Sequence, residues 1–215
     1  MILSLIGSCL FAVYSIYFLP ADILPVFQQL FKTIPLLLAI LFVQHHYEQT
    51  KEKKTRAILL ALIFLAIGTA TFTHFLTSLL FFVLAQCFFM QAFRTLPLKR
   101  PPTPILMFIV VGAAISIGWI IGNILKAQLY TLSLVISLYF ILTLTLLWLS
   151  LHTRRWLIIS ATVCFICANA LFAIDHFITP FTSLSLWMLP PYYVACILFS
   201  LTSTKYFGLP NKVIK

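Results

Sequence analysis

The chain consists of long apolar runs separated by short charged, proline-rich or polar breaks. A membrane-crossing helix needs about 20 mostly apolar residues, because each residue rises about 1.5 Å and the hydrocarbon layer is about 30 Å thick. Eight runs come near that length, at residues 2–19, 33–45, 57–75, 76–93, 105–125, 129–151, 156–174 and 184–207. The pattern predicts an all-α membrane bundle of about eight helices. Six or seven crossings remain alternatives, because the second run is short and only a polar patch at 73–78 divides the third from the fourth.

Composition supports an integral membrane protein and excludes a soluble domain. Apolar residues make up 62% of the 215 residues and charged residues 8%, with a mean hydropathy of +1.10. Soluble domains are roughly 45–50% apolar and 25% charged. The first run has no basic segment and no obvious cleavage site, so we expect a retained helix and not a signal peptide. We expect a single membrane domain over residues 1–215, in a bacterial inner (plasma) membrane.

The basic residues predict how the bundle is oriented, because Lys and Arg are retained in cytoplasmic loops. With eight crossings, twelve of the fourteen basic residues fall on one side, in loops 46–56, 94–104 and 152–155 and in the C-terminal tail. They are Lys51, Lys53, Lys54, Arg56, Arg94, Lys99, Arg100, Arg154, Arg155, Lys205, Lys212 and Lys215. Only Lys32 and Lys126 fall on the other side. Both termini are therefore expected in the cytoplasm.

The net charge of +10 is explained by that orientation and by attraction to anionic headgroups, so membrane lipids are expected partners. No nucleic-acid partner is expected, because the basic residues are dispersed over several loops without a folded domain to organise them. No metal or cofactor is expected either. Cys164 and Cys167 form a CxxC pair inside an apolar run, with no second pair or nearby His to complete a zinc site.

Small residues recur in the fifth run, at Gly112, Ser116, Gly118 and Gly122. Small side chains allow two membrane helices to approach closely. We expect these positions to pack against another helix of the same molecule. A homo-dimer contact is the alternative.

Polar side chains at membrane depth are the main functional signal, because they are unfavourable there unless they face a protein interior or a water-filled cavity. Four acidic residues are present in the chain. Glu48 and Glu52 lie among lysines, and Asp22 lies in an outer loop. Asp175 remains, at the outer end of the seventh run and beside His176.

Helix rise brings several of these polar groups to one level. Thr69 and Asn169 should each stand roughly 18–20 Å above the inner boundary of the membrane. Gln86, Tyr192 and Tyr193 come at similar levels when the helices are counted from the outside. These five side chains are therefore predicted to line one cavity.

Charged and polar side chains also cluster at the outer ends of the same runs. We predict that the cavity opens outward and is capped by Lys32, His74, Asp175 and His176. Asn169 and His176 are seven residues apart, which places them on one helix face. The alternative is that each polar group hydrogen-bonds a neighbouring helix and that no pocket forms.

Several stretches carry the pattern of a known family. KTIPLLLAI, which starts at Lys32, is similar to a Lys-Pro-x-Pro-Leu-Leu-Leu motif, with Thr33 in place of the first Pro. LIFLAIGTATF keeps the motif glycine at Gly68 but has Thr69 where the motif has Asp. ATVCFICANALFAIDHFITPF has Asn169 where the corresponding motif has Asp.

Two further stretches complete the resemblance. FFVLAQCFFMQAF has Gln86 for a His and Phe89 for a Tyr, and Tyr192-Tyr193 is retained with Cys196 in place of a Gln. In these motifs the chain resembles the lysoplasmalogenase family of eight-helix membrane proteins, called YhhN in bacteria. The resemblance spans nearly the whole chain, and it marks a divergent member that lacks both motif aspartates.

The resemblance implies hydrolysis of the vinyl ether bond of lysoplasmalogens, which gives a fatty aldehyde and a glycerophospho-alcohol. An enol ether needs an acid to protonate carbon and then water to attack, so a pair of carboxylates suits the reaction. Thr69 and Asn169 replace both carboxylates, and neither side chain delivers a proton near neutral pH.

Two hypotheses follow. In the first, the chain is a divergent lysoplasmalogenase in which Asp175, assisted by His176, is the acid, while Thr69, Gln86 and Asn169 position water. In the second, it is a non-catalytic member that binds a lysophospholipid or another single-chain amphiphile in the same cavity. A transporter is a third hypothesis, although no intramembrane acid or gating motif supports it.

Overall fold

The structure, a computed structural model, describes residues 6, 7, 10, 11, 14, 25–99, 103–126, 130–177 and 184–204. These residues contain seven long helices and no strand, which confirms the all-α prediction for this part of the chain. The helices are α1 (Pro25–Thr50), α2 (Lys53–Ala70), α3 (Phe75–Arg94), α4 (Thr103–Lys126), α5 (Tyr130–Thr153), α6 (Trp156–Phe177) and α7 (Leu184–Leu201). The predicted first crossing, 2–19, lies mostly outside the described residues; its five described positions are helical.

Six of the helices form a ring in the spatial order α1, α2, α3, α5, α6 and α7, and α7 closes the ring against α1. Helix α4 lies outside this ring and packs against α5 and α6. The largest core cluster fills the ring, with Phe89, Phe165, Tyr193 and Phe199 all almost fully buried. The aromatic rings of Phe89 and Phe199 stack with centroids 4.1 Å apart, which joins α3 to α7.

The outer faces of the helices are apolar, as expected for helices that contact lipid. On α5, for example, Leu134, Leu138 and Ile141 are all more than half exposed. Among the described residues, three stretches are long and apolar enough to cross a membrane: Phe75–Arg94, Ser133–Thr153 and Trp156–His176. Trp187–Leu201 is a shorter apolar helix. These stretches are consistent with the predicted membrane class.

Helix α1 departs most from the sequence prediction. The apolar run 33–45 predicted a short helix, whereas α1 has 26 residues and continues through Pro35. Its last turns are polar, and there the side chain of Gln44 donates to Glu48 at 3.3 Å. Backbone hydrogen bonds of a helix do not require apolar side chains, so the helix extends beyond the apolar run that revealed it.

The basic loop predicted at 46–56 is much shorter in the structure. Only Lys51 and Glu52 separate α1 from α2, and Lys51 has a left-handed φ of 52° that reverses the chain. Lys53, Lys54 and Arg56 therefore lie on the first turns of α2 and not in a loop.

The last helix runs through its two prolines, as the predicted segment did, but it ends earlier than predicted. Pro190 and Pro191 lie inside α7. Membrane helices tolerate proline, because neighbouring helices can satisfy the backbone groups that proline leaves without a hydrogen bond. The apolar run 184–207 predicted a longer helix, whereas α7 ends at Leu201 and 202–204 form hydrogen-bonded turns.

The small residues of α4 do not make the close contact that we expected. A Cβ atom added at Gly112, Gly118 or Gly122 would meet no heavy atom within 4 Å among the described residues. The prediction of close packing at these glycines is therefore wrong for the described part of the molecule. Helix α4 lies outside the ring, and the side chain of Ser116, the fourth small residue of the prediction, lies outside the described part of the chain.

Candidate functional site

A cavity of about 190 Å³ lies between the six ring helices, each of which contributes lining residues. Its walls are mainly aromatic and aliphatic, with Phe72, Phe75, Phe82, Phe140 and Phe172 among them. For comparison, a cavity of about 150 Å³ is large enough to hold benzene. The space therefore suits part of one hydrocarbon chain and not the two chains of a complete phospholipid.

Two hydroxyl groups form part of the inner wall, which we define as the cavity surface made by Thr69, Asn169 and Tyr192. The Oγ1 atom of Thr69 donates to the Leu65 carbonyl on its own helix at 2.9 Å. That bond uses the single proton of Thr69, so the hydroxyl of Tyr192 donates to Thr69 Oγ1, also at 2.9 Å. The pair joins α2 to α7 and leaves Thr69 without a proton to transfer.

Asn169 completes the inner wall from α6. Its side chain is half-buried, and its Nδ2 atom is shielded from solvent with no hydrogen-bond partner among the described residues. A buried donor without a partner is unfavourable by about 1–3 kcal/mol. Because a half-turn of the amide exchanges its oxygen and nitrogen, the side chain can present either one to a molecule in the cavity. The amide is a binding group and not a proton donor.

Three ionisable side chains form the charged rim, defined as Lys32, Asp175 and His176, all of which line the cavity. Asp175 lies six residues after Asn169 on α6, or about 9 Å along the helix. The His176 ring contacts both Phe75 and Phe172, with ring centroids 5.1 Å and 5.5 Å away, and the two phenyl rings also contact each other at 6.2 Å. The two phenyl rings hold the imidazole beside the α2–α3 turn while leaving it exposed.

Six of the eight predicted site residues thus line one cavity, and Gln86 and Tyr193 do not. Gln86 is fully buried and donates to Thr143 Oγ1 at 2.9 Å, which links α3 to α5. The hydroxyl of Tyr193 donates to the Lys32 carbonyl at 3.0 Å, which links α7 to α1. For these two residues the alternative of a hydrogen bond between helices is correct.

Gln86 and Tyr193 lie outside the cavity for a geometric reason. Depth counting places a residue along a helix axis but says nothing about the direction in which its side chain points. Gln86 follows the lining residue Phe82 by one turn on the same face of α3, so it lies beyond the end of the cavity. Tyr193 is rotated about 100° from Tyr192 and therefore points to α1.

Two further polar residues of the cavity wall, Ser78 and Tyr139, were not predicted from the sequence. Ser78 Oγ donates to the Gly68 carbonyl at 2.8 Å. Tyr139 is buried in α5, where the same depth counting applied to the sixth run would have drawn attention to its hydroxyl group.

His74, which we expected among the capping residues, is exposed and is not part of the cavity lining. It is the residue before the first residue of α3, at the turn that follows α2.

Comparison with known proteins agrees with the resemblance seen in the motifs. The model of the YhhN family matches residues 27–203, which includes every residue of the inner wall and of the charged rim. No curated protein and no solved structure matches the chain. Because the family model covers most of the sequence, the chain belongs to the YhhN family, the lysoplasmalogenase family that its motifs resemble.

Proposed function

We propose that the cavity binds a lysophospholipid and that the protein is a lysoplasmalogenase-like hydrolase of its vinyl ether bond. The observation that carries the proposal is the arrangement of one apolar cavity with the charged rim on α1 and α6. A lysophospholipid has the same division, with one hydrocarbon chain and a charged headgroup. Lys32 can pair with the phosphate, while the phenyl rings contact the chain.

In the proposed reaction, Asp175 gives its proton to the alkenyl carbon farther from the ether oxygen. The adjacent carbon becomes an oxocarbenium ion, and water attacks that carbon and returns a proton to Asp175. The resulting hemiacetal separates into a fatty aldehyde and a glycerophospho-alcohol, so one water molecule is consumed. His176 assists by holding or exchanging the proton, and Asn169 orients the attacking water.

A second candidate function is lysolipid binding without hydrolysis. The observation that favours it is the hydrogen bonding of Thr69, whose hydroxyl is already committed to Leu65 and Tyr192. The resemblance places family carboxylates at Thr69 and Asn169, so the buried acids of the family reaction are missing from this inner wall. Among the described residues that line the cavity, Asp175 at the rim is the one carboxylate left to act as an acid.

We also propose that the chain crosses a bacterial inner membrane eight times, as one domain with both termini in the cytoplasm. The excess of Lys and Arg at one end of the helices supports this orientation. It places the charged rim at the outer side of the membrane, so the cavity opens outward. A homo-dimer through the glycine positions of α4 is compatible with this arrangement.

The experiment is release of fatty aldehyde from a purified lysoplasmalogen by the full chain in detergent or vesicles. We expect aldehyde from the wild type and none from Asp175→Asn, which keeps the shape of the side chain but has no acidic proton. Glu48→Gln is the control, because Glu48 is an exposed carboxylate at the opposite end of α1. If the wild type releases no aldehyde and a Thr69→Asp/Asn169→Asp double variant does, hydrolysis by the wild-type protein is excluded. The binding function is then supported.

A further inference from the structure

Two consecutive tyrosines of α7 reach two other helices of the ring. The hydroxyl of Tyr192 donates to Thr69 on α2, and the hydroxyl of Tyr193 donates to the Lys32 carbonyl on α1 at 3.0 Å. Both tyrosines are buried, and their ring centroids lie 5.9 Å apart. The bond of Tyr193 therefore joins the two helices that close the ring.

The turn of α1 that carries Lys32 lacks one of the usual hydrogen bonds of a helix. Pro35 lies inside α1, and proline has no backbone N–H to donate to the carbonyl four residues earlier, that of Phe31. The proline ring also crowds that carbonyl, which weakens the helix at this turn. The Tyr193 hydroxyl adds a hydrogen bond at the next carbonyl, that of Lys32. Helix α7 therefore supports α1 where α1 supports itself least.

The position of this turn matters because of the Lys32 side chain, which lines the cavity at the charged rim and is half-buried. Its ammonium group makes no ion pair with a described residue. A half-buried cation without a counter-charge is unfavourable, so an anion that enters the rim gains a strong contact there. A charge-assisted hydrogen bond needs its two atoms within about 3 Å. A small shift of the turn would therefore weaken the contact between Lys32 and a phosphate.

We propose that Tyr193 is a positioning residue that holds Lys32 at the charged rim and thereby sets the preference of the cavity for a ligand with a phosphate. The inference rests on the lysophospholipid binding proposed above, but not on hydrolysis of the vinyl ether bond. Tyr193 is not part of the cavity lining and acts through the backbone of α1. Loss of its hydroxyl should weaken the phosphate contact and leave the hydrocarbon contacts unchanged.

The experiment compares two ligands that differ only in the phosphate, an alkyl glycerol phosphate and the alkyl glycerol with the same saturated chain. Binding of each to the purified full chain in detergent is measured by scintillation proximity. We expect Tyr193→Phe, which loses only the hydroxyl, to bind the phosphate ligand roughly three- to tenfold more weakly, as for the loss of one hydrogen bond. Its affinity for alkyl glycerol should equal that of the wild type. Tyr47→Phe is the matched control, because Tyr47 is a half-buried tyrosine near the opposite end of α1.

A double variant separates positioning from a merely structural role. Lys32→Gln should reduce the affinity for alkyl glycerol phosphate by roughly tenfold or more, because the phosphate loses its charged partner. In Lys32→Gln/Tyr193→Phe we expect no further loss, since no cation remains to be positioned. A tyrosine that only stabilised the fold would weaken the binding of both ligands, with or without Lys32.

The positioning role is overturned if Tyr193→Phe binds both ligands as the wild type does, loses both equally, or adds its full loss to that of Lys32→Gln. Equal affinity of the wild type for the two ligands, or an unchanged affinity in Lys32→Gln, would instead contradict the phosphate contact of Lys32, and the positioning role would fall with it. If Tyr193→Phe does not fold, it is combined with Pro35→Ala, which returns a backbone donor to the turn. The same selective loss is then expected relative to Pro35→Ala alone.

Discussion

The hydroxyl groups of Thr69 and Tyr192 determine the polarity of the inner wall. A carboxylate at position 69 would need a counter-charge or a shared proton in this setting. Threonine needs neither, because it donates a hydrogen bond to the Leu65 carbonyl one turn earlier on its own helix and accepts a hydrogen bond from Tyr192. Threonine at this position therefore joins α2 to α7 without placing an acid in the wall.

We predict a measurable coupling between these two residues. Thr69→Val and Tyr192→Phe each remove one partner, so the double variant should be more stable than the sum of the single losses implies. The expected coupling is about 0.5–2 kcal/mol, as for other hydrogen bonds between membrane helices. Reversible unfolding in mixed micelles measures it. Thr145→Val combined with Tyr192→Phe is the control, because among the described residues the Thr145 hydroxyl donates to the Ile141 carbonyl of its own helix and makes no hydrogen bond to another helix. That pair should show no coupling, and a coupling of zero between positions 69 and 192 would contradict the Thr69–Tyr192 contact.

Sequence predicted a polar residue of the cavity lining correctly where its depth along the helix and its rotation about the helix axis both place it at the cavity. Lys32, Thr69, Asn169 and Tyr192 stood out as polar groups in apolar runs, and all four line the cavity. Tyr193 stood out for the same reason but points to α1. Rotation about the helix axis depends on tertiary packing, which apolar runs without a clear polar stripe do not reveal.

The α2–α3 hairpin is the element that shapes one side of the cavity. A Cβ atom at Gly68 would come within 3.0 Å of the Phe82 ring and within 3.3 Å of the Ser78 carbonyl. Ser78 in turn donates to the Gly68 carbonyl. Close approach at Gly68 therefore fixes both the spacing of the two helices and the position of Phe82 in the cavity wall.

Gly68→Ala should destabilise the protein by about 1–3 kcal/mol, because the added methyl group pushes Phe82 and the backbone of α3 away. Gly118→Ala is the matched control on α4, where the added atom meets nothing within 4 Å. That control should be neutral or more stable by up to about 1 kcal/mol, since alanine favours helix more than glycine does. Unfolding in mixed micelles compares the two, and equal effects would contradict the close approach at Gly68.

At the scale of elements, apolar runs predicted which helices exist better than where they end. The polar turns 46–50 extend α1 past its apolar run, and two prolines leave α7 intact. Backbone hydrogen bonds carry α1 past its apolar run, and neighbouring helices can satisfy the backbone groups that the prolines of α7 leave free. The contacts of α4 were also beyond prediction, because small residues allow close packing without specifying a partner.

For the whole molecule, the distribution of Lys and Arg predicts that both termini lie in the cytoplasm. A green fluorescent protein fused after Lys215 should therefore fluoresce, and alkaline phosphatase at the same place should be inactive. A phosphatase fused within the 178–183 segment, between α6 and α7, should be active. The reverse pattern, or termini on opposite sides, would contradict the eight-helix topology.

The ring of six helices around one cavity is the central feature of the whole molecule. Its most direct test uses a lysophospholipid with a saturated ether chain and a photoreactive group in that chain, because this ligand cannot be hydrolysed at a vinyl ether. Ala173→Leu should prevent labelling, since the small Ala173 side chain lines the cavity and is buried. Ala114→Leu is the matched control on the exposed face of α4.

We predict that photolabelling of the wild type is confined to peptides of the six ring helices that contain cavity-lining residues. Unlabelled lysophospholipid should compete for that labelling, and a two-chain phospholipid should not. Ala173→Leu should reduce labelling by roughly tenfold or more, while Ala114→Leu leaves it unchanged. Labelling spread over the lipid-facing helix surfaces without competition, or equal labelling of the two variants, would contradict binding of a single-chain lipid in the cavity.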